Sequence, residues 1–344
     1  MKFDFASLTV PVIQAPMAGG VNTPALAAAV ANAGGVGSFG FAYSSPQKIK
    51  DDLFAVKALT SGPINANFFI FQDVSLPGQA EQLNCIRSLS HFPLQGEYAL
   101  TIPKAPFFPD LEQQLEPIWA LCPEILTFHF GIPHASVMER ARSLGIAVGI
   151  TATSVDEAEK IEKAAADFIV AQGVEAGGHR GMFNAGAPDL DLPIEKLTSL
   201  ITKKCALPVV ASGAIMTGGD IRKALSWGAV AVQMGTAFLC CDESGASPAH
   251  KDYLLHQQDR GTAFTSCFSG RPARGIKNRF MALTESSPFL PFPIQNSLTG
   301  PLRQLALKLG DGEFQSLWAG SAYYRSRKMP ASQLMKILSD ALSI

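Results

Sequence analysis

Gln172, Glu175, His179 and Arg180 crowd into one short segment that also holds Gly173, Gly177, Gly178 and Gly181. The segment begins with an apolar run, Phe168-Ile-Val-Ala, of the kind that fills a buried parallel strand. Its glycines can bring the backbone close to a ligand and aim N–H groups at it. His179 and Arg180 add positive charge, so an anion such as phosphate is the natural guest. An ordinary strand-to-helix turn would need only one or two glycines, and it would not explain four polar side chains on so apolar a chain. Asn67 and Gln233 extend the set, because each lies at or near the end of another apolar run. Amides donate and accept hydrogen bonds, so three of them with a histidine suit the edge of a flat heterocycle. The histidine is His129, set between Phe128 and Phe130. In isolation it reads as a core residue. At a strand end it could take a proton as imidazole, or hold an anion as imidazolium.

These residues need elements to position them. Eight short apolar runs, at 10–15, 36–41, 64–69, 125–130, 147–151, 168–172, 209–212 and 230–234, alternate with helical patterns. Thr23 with Pro24, Ser45 with Pro46, the capping-box pattern Ser154-Val-Asp-Glu157, and Thr217 mark helix starts. Eight strand–helix units at this length predict a TIM (β/α)8 barrel of class α/β. In that fold the ligand sits at the C-terminal strand ends. Those ends here supply Met17, Phe39-Gly40, Asn67, His129, Thr151, Gln172, Gly213 with Ala214, and Gln233, Met234, Gly235 and Thr236. The last two ends form the usual barrel phosphate site. A heterocycle plus one phosphate in a barrel points to FMN. The predicted barrel occupies 1–239 and is completed by C-terminal helices within 296–344, at 301–309, 313–325 and 332–343. A smaller, mainly helical cap occupies 240–295. The proline-rich excursion 71–108 is expected to cover one end of the fold or to serve function.

The bulk composition narrows the classes. The chain has 344 residues, of which 47% are hydrophobic and 17% charged, and its formal net charge is −1. That balance gives no support for nucleic acid or an anionic membrane as partner. The low charge permits a homodimer. Six cysteines, at 85, 122, 205, 240, 241 and 267, lack zinc-site or disulfide-framework spacing and read as buried thiols. No metal is expected. The N-terminal residues lack a signal-peptide pattern, so a cytoplasmic protein is expected. His91, His134, His250 and His256 read as solvated, and Glu175 as a partner of Arg180. Arg271 and Arg274 are expected either to orient an anion or to pin the cap to the barrel.

The chain closely resembles the nitronate monooxygenase family, through Gln14-Ala-Pro-Met17, Thr127-Phe-His-Phe-Gly131, 171–181, 232–238, 268–275 and 316–320. The histidine-phenylalanine-glycine motif favours the class I branch. The resemblance implies an FMN-bound barrel with Asn67, Gln172, Gly177, Gly213 and Gln233 to Thr236 as flavin contacts and His129 as the active-site base. Gly178 would pass near the ribityl phosphate with Gly177. A second glycine common after the seventh strand is Ala214 here. The implied reaction oxidises an alkyl nitronate, for example propionate 3-nitronate, with O2 to a carbonyl compound and nitrite. Such an activity would fit detoxification. Three alternatives stand beside it: an FMN-dependent NAD(P)H reductase of enoyl thioesters or quinones, a barrel binding a phosphorylated metabolite without flavin, and a non-catalytic flavin-binding protein.

Overall fold

A computed structural model describes residues 3–90 and 92–342. Strands β1 (Val12–Gln14), β2 (Gly37–Gly40), β3 (Ile64–Phe69), β4 (Ile125–His129), β5 (Ala147–Ala152), β6 (Phe168–Gln172), β8 (Val209–Ser212) and β9 (Ala231–Met234) form one parallel sheet. Its order runs β1-β9-β8-β6-β5-β4-β3-β2, and a parallel bridge from Ile13 to Val36 closes it into a barrel. The numbering skips β7 (Gly178–His179), a two-residue strand outside the barrel. The strands are buried on both faces, which is why they read as apolar runs rather than alternating patterns.

Helices begin where their caps predict. Thr23 accepts from Leu26 N at 3.0 Å, and Thr217 forms a reciprocal capping box with Asp220. Ser154 also caps its helix, but the Glu157 carboxylate turns away from the box. It accepts from Thr153 N at 2.6 Å and from Phe183 N at 2.7 Å, tying the end of β5 to the chain beyond β7.

The main hydrophobic core lies between the barrel and its helices, and includes Leu334, Met335 and Leu338 from the final helix, Ala331–Asp340. A second core is built around Phe268, Phe280, Leu290, Ile294, Leu302, Ala306 and Phe314. Val74, Phe92, Tyr98 and Phe107 from the excursion pack against it. Helix Gly300–Leu309, expected to close the barrel, therefore buries its apolar face in this second core. The excursion contributes a helix of its own, Gln79–Leu89.

The structure adds one feature that the sequence did not suggest and overturns one expectation. Residues 240–295 include a hairpin, β10 (Thr262–Thr265) and β11 (Ala273–Ile276), which adds β7 to make a three-stranded antiparallel sheet. Residues 313–325 form two 3-10 turns rather than a helix. Trp318 bridges to Gly275, and Gly320 lies against the 175–177 backbone: a Cβ on Gly177 would come within 2.4 Å of the Ala319 carbonyl carbon. An α-helix would withdraw this stretch from both contacts.

Candidate active site

The side chains that alternate inward along a strand are two residues apart. Asn65 and Asn67 on β3 obey this rule and join a buried polar chain across the barrel. Gln14 Oε1 accepts from Ser38 N at 3.3 Å, and Asn65 donates to Ser38 Oγ at 3.2 Å. Thr127 Oγ1 donates to Asn65 at 2.9 Å and accepts from Asn67 Nδ2 at 3.0 Å. Asn67 Oδ1 carries no hydrogen bond among the described residues.

The chain ends in a cavity of about 550 Å³ at the C-terminal strand ends, a size typical of small-molecule sites. Met17, Asn67, His129, Gln172, Gly177, Gly178, Gly213, Ala214, Gln233, Met234, Gly235 and Thr236 all line it. The sequence thus named twelve residues that folding brings to one cavity. It did not place Tyr43, His250, Arg303 or Trp318 in the site, though they line it too. They come from loops and helices with no strand-end signal to mark them.

One part of this cavity suits a phosphate. The backbone N–H groups of Ala214, Ile215, Gly235 and Thr236 have no acceptor among the described residues, and all four residues line the cavity. Such a cluster of unpaired amides is an anion cradle. Gly213 has φ 144°, a conformation open to glycine, whereas Ala214 has φ 51°. A left-handed alanine carries strain of about 1 kcal/mol that a glycine would lack. Thr236 Oγ1 accepts from Gly320 N at 3.0 Å, so its hydroxyl proton remains available.

The two histidines sit together. His129 Nε2 is 3.2 Å from the His179 carbonyl oxygen, so it must carry the proton and donate. His179 Nε2 is 2.8 Å from Ser269 Oγ, which itself donates to Arg271 O at 3.1 Å, so this nitrogen donates as well. In both rings Nδ1 is left as the basic atom. Burial lowers each pKa to about 3, so both rings are neutral at physiological pH. Gly181 makes room for this arrangement, since a Cβ there would lie 2.7 Å from His129 Cε1.

Gln172 holds β7 in place rather than presenting a free amide. Its Nε2 donates to His179 O at 3.0 Å and its Oε1 accepts from Gly181 N at 2.8 Å. Arg180 is buried and donates to both Asp189 oxygens, at 2.6 and 3.1 Å, and to the Gln172 carbonyl. Asp189, not Glu175, is therefore its partner. The Glu175 carboxylate instead accepts from Ile194 N at 3.0 Å, at the start of helix Ile194–Lys204. Arg274 donates to Val174 O at 2.9 Å and lies over the Phe264 ring at 4.2 Å. Arg271 donates to Met182 O and lies over Phe130 at 3.8 Å. Both arginines pin the β10–β11 hairpin to the barrel end.

His250 is buried, contrary to its sequence reading, and its Nε2 has no partner. His134 and His256 are exposed, and His91 lies outside the described residues. Five cysteines are buried, but Cys122 is exposed at a helix end.

The chain is a closed parallel barrel whose C-terminal mouth carries four unpaired backbone N–H groups and two neutral histidines in one cavity. The nitronate monooxygenase family model matches residues 2–340, and the chain belongs to that family. It is 40% identical over 341 residues to a nitronate monooxygenase of Pseudomonas aeruginosa, covering 96% of each chain. It is 39% identical to one of Paraburkholderia phytofirmans, covering 96% of this chain and 92% of that one. Among solved structures, a nitroalkane oxidase from Streptomyces ansochromogenes superposes with TM-score 0.90 at 35% identity, covering 98% of this chain and 97% of that one. FabK from Thermotoga maritima, at 24% identity and TM-score 0.75 over 98% of this chain and 94% of that one, shares the fold.

Proposed function

We propose that this chain is an FMN-dependent nitronate monooxygenase, oxidising alkyl nitronates with O2 to carbonyl compounds and nitrite. The carrying observation is the convergence of the amide cradle, the Asn67 amide and His129 on one cavity of a chain in this family. The chain is a flavin-dependent oxidoreductase; FMN is the particular flavin the cradle fits, because its size and unpaired N–H groups suit a single terminal phosphate.

Ala214, Ile215, Gly235 and Thr236 would hold that phosphate, with Gly177 and Gly178 close to the ribityl chain. Asn67 and Gln233 would meet the ring edge, Met17 would pack beside it, and Gln172 would act through β7. FMN, when bound, supplies the electron transfer and the reaction with O2. His129 lines the cavity as a neutral ring whose basic atom is Nδ1, and would take a proton from a nitroalkane or orient its nitronate. The smaller unit, built on the second core, excludes water from the substrate end. The substrate is a small molecule. Among the described residues no helix is long and apolar enough to cross a membrane, and a cytoplasmic location fits that.

A second reading of the catalytic group rests on His179, whose ring lines the same cavity in the same protonation state. The reductase alternative survives only in the shared fold. Oxygen uptake with a propyl nitronate, run beside anaerobic NADPH bleaching of the flavin, separates the chemistries. Rapid uptake with slow bleaching is expected, and the reverse would overturn the monooxygenase reading. Release of FMN on denaturing the yellow protein checks the cofactor, and release of FAD would refute it.

A further inference from the structure

One aromatic ring in the cavity wall belongs to no core. Inward-facing residues of a strand are two apart, so Phe69 continues the row of Asn65 and Asn67 on β3 and ends it at the cavity. Phe68, beside it, points the other way and packs in the main core. Phe69 is half-buried and joins none of the hydrophobic cores among the described residues. It lies in register with His129 on β4. Its ring centre is 5.6 Å from that of His129 and 6.1 Å from that of His179. A ring needed only for packing would turn into a core, as Phe68 does. Phe69 stands instead beside both imidazoles.

Other rings hold it there. Phe130 lies 4.5 Å from it, Phe71 5.9 Å and Phe292 6.3 Å, and none of these three lines the cavity. Phe130 has φ 75°, a left-handed conformation uncommon for so bulky a residue. The Arg271 guanidinium lies over its ring at 3.8 Å. Backbone strain of this kind persists only where the surroundings enforce it, and here it sets the ring that backs Phe69. Carbon atoms pack at about 3.5–4.0 Å, so a carbon between two rings needs them about 7 Å apart. The separations of 5.6 and 6.1 Å are shorter. No part of a substrate fits between Phe69 and either imidazole, and a carbon that meets an imidazole has Phe69 as its neighbour.

We propose that Phe69 bounds the space beside the reacting carbon and selects nitronates that carry a hydrogen there rather than a second alkyl group. The inference rests on the nitronate reading above and deepens it. A proton passes between the substrate carbon and an imidazole only when that carbon lies against the ring, and this brings its substituents to Phe69. A hydrogen is accommodated. A methyl or longer branch overlaps the ring, which cannot retreat because Phe130, Phe71 and Phe292 pack against it. Well-packed sites resist an added carbon in this way. The limit holds whichever histidine handles the proton. Phe69 is a specificity residue, since its ring neither gives nor takes a proton.

The test uses the flavin-loaded protein and the nitronates of 1-nitrobutane and 2-nitrobutane, which have equal carbon number and differ in the branch at the nitronate carbon. Oxygen-uptake kinetics are compared for the native chain, Phe69→Leu and Phe69→Ala. The native chain should favour the straight-chain substrate. In Phe69→Ala the ratio of kcat/KM, branched over straight, should rise by about tenfold or more. Phe69→Leu should raise it by a smaller factor, and it serves alone should Phe69→Ala fail to load flavin. An unchanged or lower ratio, or a native chain without the preference, would overturn the proposal. If neither nitronate supports oxygen uptake, the nitronate reading fails and the boundary is read from binding alone. Butyrate and isobutyrate then serve as probes, since each carries a planar two-oxygen group and they differ in the same branch. Their titration is followed by tryptophan fluorescence, because Trp318 lines the cavity. Tighter binding of butyrate by the native chain, with the gap narrowed in Phe69→Ala, would leave the boundary standing. No binding, no gap, or a gap unchanged in the variant would overturn it as well.

Discussion

At the residue scale, the two histidines divide into a ring and a backbone role. The His179 carbonyl holds the His129 ring in one tautomer, and the Gln172 amide shares that carbonyl. A His129→Ala variant keeps the carbonyl and the amide cradle, so it should retain flavin while losing about 100-fold or more of turnover. Normal turnover in that variant, with loss in His179→Ala, would move the base to His179. Gly181→Ala provides a finer probe. Its Cβ would enter the space of His129 Cε1 and lie 2.8 Å from Thr151 Cγ2. Displacing the ring should lower kcat by up to about 100-fold with flavin affinity retained; unaltered kcat would show that the ring position is not critical.

At the element scale, β7 is the joint between the barrel and the hairpin. It pairs with β11 through Ala273 opposite His179 and Arg274 opposite Gly178. Arg274 adds the bond to Val174 O and another to Thr262 Oγ1 at 3.1 Å. Replacing it with leucine should cost about 2 kcal/mol, the scale of a charge-assisted bond lost with its ring contact. Urea unfolding checks this, and no change in midpoint would mean the pairing alone holds the hairpin. The joint also explains why the glycine segment misled a reading based on charge. Arg180 looked available as an anion ligand, yet it folds back onto Asp189 because β7 turns the chain sharply behind β6.

At the scale of the whole molecule, the buried His250 and the half-buried His129 and His179 make stability depend on pH. Burial lowers His129 and His179 to about 3 and His250 to about 4, from 6.5. In the window between those values and 6.5 the unfolded chain binds more protons than the folded one, so stability rises with pH. It is fully present above 6.5 and is lost as pH falls toward the folded values. Urea midpoints should therefore fall from pH 7 to pH 5, with proton uptake on unfolding of up to three from these rings. A flat profile would show that the rings are solvated in the folded protein.

The eight strands, their order in the chain and the twelve cavity residues were legible in the sequence, because a buried parallel strand must be apolar and its polar end residue stands out. Thr23 and Thr217 were legible for a similar reason, since a cap is a contact between near neighbours. Contacts distant in the chain left no such mark. The packing of the excursion against 263–314, the partnership of Arg180 with Asp189 across β7, and the place of Trp318 against Gly275 depend on where loops return in space. Arg303 shows the difference most clearly. In the sequence it is one arginine on an amphipathic helix, indistinguishable from a solvated one. The tertiary structure sets it in the cavity wall, where Thr299 and Asn296 hold its side chain and no carboxylate among the described residues pairs with it.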